Sequence, residues 1–72
     1  MTKYLIEDLT GLEKNYIIIN DNDNISEKIK DVIDINENEN IYKFLFQGEW
    51  IIRITDNDDY FSFRYYFMKK TK

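Results

Sequence analysis

The chain has 72 residues with a formal net charge of −4 at pH 7, and it contains neither histidine nor cysteine. A single small domain is expected, without disulfides or the usual zinc ligands to stabilise it. Catalysis would depend on carboxylates alone, and so small a domain has little room for the cleft that shifts their pKa values. The sequence therefore predicts a protein that is not an enzyme and that has no cofactor.

The first 14 residues form a segment that fits two structures. Three leucines recur at helical spacing, which makes a short helix the first choice: Leu5, Leu9 and Leu12. Gly11 lies where a helix often ends in a left-handed residue. A strand through Lys3–Leu9 is the alternative.

A strand is expected at residues 15–20, where Tyr16 begins a β-branched Tyr-Ile-Ile-Ile run that suggests burial on both faces. An amphipathic helix is expected at residues 25–35. Asn24 is its predicted N-cap, and Glu27 completes a capping box. Apolar residues then recur on one side of this helix: Ile25, Ile29, Val32 and Ile33. Residues 36–40, Asn-Glu-Asn-Glu-Asn, predict a solvated loop.

Residues 41–69 predict a three-stranded antiparallel β-meander with turns at residues 47–49 and 56–59. A three-residue first loop places Phe44 opposite Ile52, whereas a two-residue Gly48-Glu49 loop would place Phe44 opposite Arg53. We prefer the three-residue loop, together with a four-residue second loop. The predicted core face then contains Tyr42, Phe44, Phe46, Trp50, Ile52, Ile54, Phe61, Phe63, Tyr65 and Phe67.

Together these elements predict a small α+β domain: a short N-terminal helix, a strand, an amphipathic helix and then a three-stranded meander forming one sheet. In this register the second sheet face mixes apolar and basic residues: Ile41, Lys43, Leu45, Ile51, Arg53, Thr55, Tyr60, Ser62, Arg64, Tyr66 and Met68. Either the N-terminal leucines cover this face, or a partner or a second copy in a homodimer buries it.

Acidic residues surround the predicted helix: Asp21, Asp23, Glu27, Asp31, Asp34, Glu37 and Glu39. Glu27, Asp31 and Asp34 follow the helical repeat with an axial spacing of roughly 6 Å, comparable to the phosphate spacing of a nucleic-acid strand. This line of charge suggests a nucleic-acid-mimicking contact with a basic groove. The alternative is an ordinary solvent face, in which Lys28 pairs with Asp31 and Lys30 pairs with Asp34.

No metal site is predicted. The runs that begin at Asp21 and Asp56 resemble the start of an EF-hand loop, but in the first run Ser26 replaces the loop glycine and Val32 replaces the final glutamate. In the second run Tyr60 occupies a ligand position.

The short, acidic, cofactor-free profile resembles that of small phage-encoded counter-defence proteins. Ile, Asn, Lys, Tyr and Phe make up 39 of the 72 residues, which is typical of an AT-rich genome. We therefore expect a non-enzymatic protein-binding inhibitor, phage-borne or carried by another mobile element. It would block a host nucleic-acid-processing or defence complex by steric and acidic contacts. Because no segment is apolar enough to span a membrane, a cytoplasmic location is expected.

Two alternative functions are open. One is a single-stranded nucleic-acid-binding module that uses the second sheet face, through Lys43, Arg53, Tyr60, Arg64 and Tyr66. Against it stands the overall acidity, because affinity for phosphates depends on basic residues. The other is a small structural or dimerising subunit.

Overall fold

A computed structural model describes residues 1–59 and 61–71 of the chain. The strands form a five-stranded antiparallel sheet in the order β2-β1-β5-β4-β3, and one short helix packs on it. The elements are β1 (Thr2–Asp8), β2 (Lys14–Ile19), α1 (Ile25–Val32), β3 (Glu39–Phe46), β4 (Glu49–Asp56) and β5 (Phe63–Lys70). The predicted fold class, a three-stranded meander preceded by an N-terminal helix, is therefore wrong.

The N-terminal segment is a strand and not a helix. β1 lies between β2 and β5, so Leu5 is paired with Tyr16 on one side and with Lys69 on the other. Backbone hydrogen bonds along both edges of β1 outweigh the helical spacing of three leucines, since they are tertiary interactions that local spacing does not report. Leu9 and Leu12 are exposed in the turn that follows, and they cover neither face of the sheet.

The β3–β4 hairpin turns on two residues, Gln47 and Gly48, and not on the three that the sequence predicted. Their φ angles are 50° and 80°, the left-handed pair of a type I′ turn, whose twist matches that of the flanking strands. Phe46 consequently pairs with Glu49, and Phe44 pairs with Ile51 instead of Ile52. This shift of one residue moves the β3 side chains to the other face relative to those of β4.

The register between β4 and β5 also differs from the prediction by an odd number of residues. Ile54 pairs with Arg64 and not with Phe61, which lies in the connection and is 92% exposed. Because the side chains of a strand alternate between faces, this shift brings Tyr66 and Met68 into the core.

The core lies between the sheet and α1, and it is mainly aliphatic. Its buried residues are Ile6, Ile17, Ile19, Ile29, Ile33, Ile52, Ile54, Tyr66 and Met68. Each fully buried isoleucine contributes roughly 1.5–3 kcal/mol relative to an exposed one. Ile52 and Ile54 lie in the core as predicted, whereas the predicted core residues of β3 and β5 lie on the opposite face. Ile18 is about half exposed, so the β2 run is not buried on both faces.

The helix begins at Ile25, where the sequence predicts it, but it ends at Val32 and not at residue 35. The Asn24 side-chain oxygen accepts a hydrogen bond from the Glu27 backbone N–H at 3.1 Å. In a capping box the Glu27 carboxylate would also accept from the Asn24 backbone N–H. Here it pairs instead with Lys30, at 3.4 Å. In the part of the chain that the structure describes, no helix has the length and apolar character needed to cross a membrane.

Candidate partner-binding surface

The sheet face opposite α1, here called the open face, carries most of the aromatic side chains of the strands. No member of this face is buried, because no other element of residues 1–59 and 61–71 lies over it. An ordinary solvated sheet face is polar, and contiguous exposed apolar side chains usually indicate a binding surface. The apolar side chains of the open face, which also carries Arg53 and Thr55, are Leu5, Tyr16, Ile18, Tyr42, Phe44, Phe46, Ile51, Phe63, Tyr65 and Phe67.

Strand alternation positions these side chains. On β4, Ile52 and Ile54 point into the core, so their neighbours Ile51 and Arg53 point to the open face. On β5 the aromatic residues at alternate positions join them, and Phe63 and Tyr65 stack edge to face with ring centroids 5.5 Å apart. Strand pairing and alternation therefore place the aromatic rings side by side on the open face.

Arg53 lies among the rings of the open face. Its guanidinium carbon is 5.1 Å from the ring centroid of Tyr42 and 5.5 Å from that of Phe44, which are cation–π distances. Its Nε is buried and has no hydrogen-bond partner among the described residues. Beside it is a cavity of about 280 Å³, whose lining includes Tyr42, Phe63 and Tyr65. The site offers a partner a positive charge framed by aromatic rings.

The charges of the open face differ in sign from those of the whole chain. Its basic residues are Lys3, Lys14, Arg53 and Lys69, and its acidic residues are Glu7 and Glu49. Lys3 Nζ lies 4.6 Å from the ring centroid of Tyr16, and Lys69 Nζ lies 3.9 Å from a carboxylate oxygen of Glu7. The open face is thus mildly basic, although the chain carries a net charge of −4.

Of the five residues that the sequence assigned to a nucleic-acid-binding face, the four that the structure describes do not share one face of the sheet. Arg53 lies on the open face, whereas Lys43, Arg64 and Tyr66 lie on the side of the sheet that carries α1. Tyr60 lies outside the described residues. The grouping is wrong because both hairpin registers on which it depended are shifted.

The three residues on the α1 side have intramolecular partners. Lys43 Nζ donates to Ser26 Oγ at 3.2 Å, and Arg64 Nη2 donates to the Glu39 carboxylate at 3.0 Å. The Tyr66 hydroxyl donates to a carboxylate oxygen of Glu13 at 3.3 Å. Burial raises the pKa of Tyr66; Arg64 opposes this effect, and the negative charge of Glu13 adds to it.

The acidic residues that the sequence assigned to partner binding differ in their contacts, and Glu27 combines an exposed position with an ion pair to Lys30. Asp23 accepts the Asn20 backbone N–H at 2.8 Å and pairs with Lys28 at 3.7 Å, and Glu39 accepts from Arg64. The other members are exposed: Asp21, Glu27, Asp31, Asp34 and Glu37. Because α1 ends at Val32, Asp34 is not on the helix, and the evenly spaced line of three carboxylates does not form.

The predicted lysine pairs of α1 are also replaced. Lys28 pairs with Asp23 and Lys30 pairs with Glu27, in place of Asp31 and Asp34. Among the described residues, no cluster of three or more acidic side chains is arranged to hold a metal ion.

Sequence reasoning missed the open face because it assigned the aromatic residues of this face to the core. The signal that identifies the correct register is Gly48 as the second residue of a two-residue loop, the position of glycine in the favoured type I′ pairs. Fold and surface together define a small antiparallel sheet domain with a helix on one face and aromatic rings on the other. No protein-family model, curated protein or solved structure matches this chain.

Proposed function

We propose that this protein is a non-enzymatic protein-binding inhibitor that acts by occluding its partner, and that the open face is its contact surface. The observation that carries the proposal is the array of partly exposed rings around Arg53. Aromatic residues and arginine are enriched at protein interfaces and among the residues that dominate binding free energy. Aromatic rings bury a large area at a small cost in conformational entropy, and arginine adds a charge with several hydrogen-bond donors.

The dimensions of the open face suit a protein partner. At a strand spacing of about 4.8 Å, five strands extend roughly 24 Å, and eight residues of strand extend roughly 27 Å. The resulting surface of about 600 Å² approaches the roughly 800 Å² that each partner contributes to a standard protein interface. A small ligand would leave most of this surface exposed.

We further propose that the partner is a basic protein of a host nucleic-acid-processing or defence complex. The exposed carboxylates at and around α1 support this proposal, since they would meet a positively charged groove while the open face supplies apolar anchors. A phage or mobile-element origin, with action in the host cytoplasm, belongs to the same proposal and rests on size and residue usage.

The open face is tested by replacing two of its rings, Tyr42→Ser and Phe63→Ser, in one variant. The control is Phe61→Ser, which removes a ring that is 92% exposed in the β4–β5 connection. The original chain, the double variant and the control are each immobilised and incubated with lysate of a bacterium that has an AT-rich genome. The captured proteins are quantified by mass spectrometry. We expect the double variant to lose a partner that the original chain and the control retain.

Folding of the variants is checked by circular dichroism before capture. A second variant reverses the charges of Glu27, Asp31 and Asp34, and reduced capture of the same partner would support the acidic contact. Equal recovery by the double variant and the control would reject the open face as the contact surface.

Single-stranded nucleic acid is the second candidate partner of the open face. The observation that favours it is the Arg53 guanidinium against two rings, on a face that also carries Lys3 and Lys14, because sheet-based single-strand binders combine stacking with basic side chains. A fluorescent oligonucleotide titrated at low salt would show binding that salt weakens and that Arg53→Ala removes. No change in anisotropy at low salt would exclude this candidate.

A further inference from the structure

β3 is an edge strand with apolar side chains exposed on both of its faces. Tyr42, Phe44 and Phe46 lie on the open face, and they are 44%, 47% and 59% exposed. On the α1 side, Leu45 is 63% exposed. Long apolar edge strands readily pair with other strands, and proteins usually protect them with charges, prolines or bulges. The only charged residue between Ile41 and Phe46 is Lys43, whose ammonium group is hydrogen-bonded to Ser26 at 3.2 Å.

The turn geometry determines which backbone groups of β3 are unpaired. In a two-residue hairpin the residues that flank the loop, here Phe46 and Glu49, hydrogen-bond to each other. The even-numbered residues of β3 therefore direct their N–H and C=O groups toward β4. The N–H and C=O groups of Ile41, Lys43 and Leu45 point outward in the plane of the sheet, at the free edge of β3, and are available to another strand.

We propose that β3 of one copy pairs antiparallel with β3 of a second copy, about a two-fold axis through Phe44 that is perpendicular to the sheet. In this register Phe44 lies opposite Phe44, Tyr42 lies opposite Phe46, and Lys43 lies opposite Leu45. Aromatic residues therefore meet aromatic residues on the open face, and each lysine meets an apolar side chain on the other face. The open faces of the two copies become continuous.

The alternative registers are less favourable. An axis through Lys43 places the two ammonium groups opposite each other, and like charges directly opposite are destabilising. An axis through Tyr42 pairs Phe44 with Asn40, which leaves the rings near the hairpin without partners. An axis through Leu45 pairs Phe44 with Phe46, but it places Tyr42 opposite Gly48 in the turn, beyond the end of the strand. The axis through Phe44 is therefore the one that pairs all three rings of β3 with one another.

The area at the edge indicates a reversible dimer. With about 200 Å² for each aromatic side chain, the exposed parts of the three rings amount to roughly 300 Å² per copy. This area, with Leu45 and the backbone added, is less than the roughly 800 Å² per partner of a stable interface. The dimer is expected to dissociate on dilution, with a Kd on the order of micromolar or weaker. The inference does not rest on the proposed function, because it is argued from the unpaired backbone groups and the self-complementary sequence of β3 and holds whatever partner the open face binds.

The test measures mass against concentration by sedimentation equilibrium for the full chain and two variants at one position. Leu45→Lys places a lysine opposite Lys43 of the second copy, twice in each dimer, and we expect it to raise the Kd roughly tenfold. Leu45→Glu creates two ion pairs with the same lysines and is expected to retain the dimer. The control is Ile18→Lys on the other edge strand, where the side chain is 49% exposed, and it should leave the Kd unchanged.

Several outcomes overturn the proposal. A monomer at every concentration would do so, and so would equal weakening by Leu45→Lys and Leu45→Glu. A dimer that Phe63→Ser dissociates and Leu45→Lys does not would place the interface on the open face. If a Leu45 variant does not fold, amide hydrogen exchange in the unmodified chain tests whether β3 pairs with β3 of a second copy. The amides of Lys43 and Leu45 should exchange more slowly as concentration rises, and exchange that is independent of concentration contradicts edge pairing.

Discussion

Tyr66 is a buried residue of β5 whose hydroxyl is hydrogen-bonded to the segment before β2. Its ring lies in the core at 3% exposure, and its hydroxyl donates to Glu13 in the segment that leads into β2. Arg64 Nη1 lies 3.5 Å from the same hydroxyl. Ionisation of Tyr66 would place a negative charge in a desolvated position beside a carboxylate, which explains the raised pKa.

The raised pKa of Tyr66 predicts a loss of stability at alkaline pH. The folded state retains a proton that the unfolded chain releases near pH 10, so the stabilisation is complete below about pH 10 and declines as the pH rises further. Tyr66→Phe should remove this part of the decline, which urea unfolding from pH 7 to 11 would measure. Parallel curves for both proteins would contradict the assignment.

The β3–β4 hairpin is the element whose geometry decides the faces of the sheet. Gln47 adopts φ 50°, which costs a residue with a Cβ atom about 1 kcal/mol or more, while Gly48 adopts φ 80° without that cost. Asparagine tolerates this region better than glutamine does, and Asn-Gly is the preferred pair in type I′ turns.

Gln47→Asn is therefore expected to stabilise the protein by roughly 0.5–1 kcal/mol, measured by chemical unfolding. The converse variant, Gly48→Ala, should destabilise it through backbone strain alone, since no atom lies within 4 Å of an added Cβ. If Gly48→Ala were neutral, the turn would not be of type I′.

The whole molecule has two unlike faces, one packed and one exposed. The α1 side contains the aliphatic core, while the open face contains aromatic rings and a slight excess of basic residues. Under the proposed function the aromatic contact surface lies on the face opposite the core, so substitutions on the open face should change binding more than folding.

A matched pair of isoleucine substitutions tests this division of roles. Ile29→Val removes a methyl group from a side chain that is 0% exposed, and we expect a loss of about 0.5–1.5 kcal/mol in the free energy of unfolding. Ile18→Val makes the same change on the open face, where the side chain is half exposed, and should have an effect near zero. Equal effects would mean that the open face is packed in solution.

The sequence by itself determined the features that depend on neighbouring residues. The start of α1 at Ile25 follows from the Asn24 cap and the apolar repeat, which act within one or two helical turns. The β2 strand and the positions of both C-terminal turns follow from β-branched and turn residues. The shared position of Ile52 and Ile54 on the core face of β4 follows from the alternation of side chains along a strand.

Only the tertiary structure decided the placement of β1 and the faces of β3 and β5. Leu5 lies in a strand because β1 is hydrogen-bonded to β2 along one edge and to β5 along the other, and these are contacts between distant parts of the chain. Phe44 and Tyr65 lie on the open face because each register differs from the predicted one by an odd number of residues. Since side chains alternate with a period of two, such a shift exchanges core and surface while it leaves every local pattern unchanged.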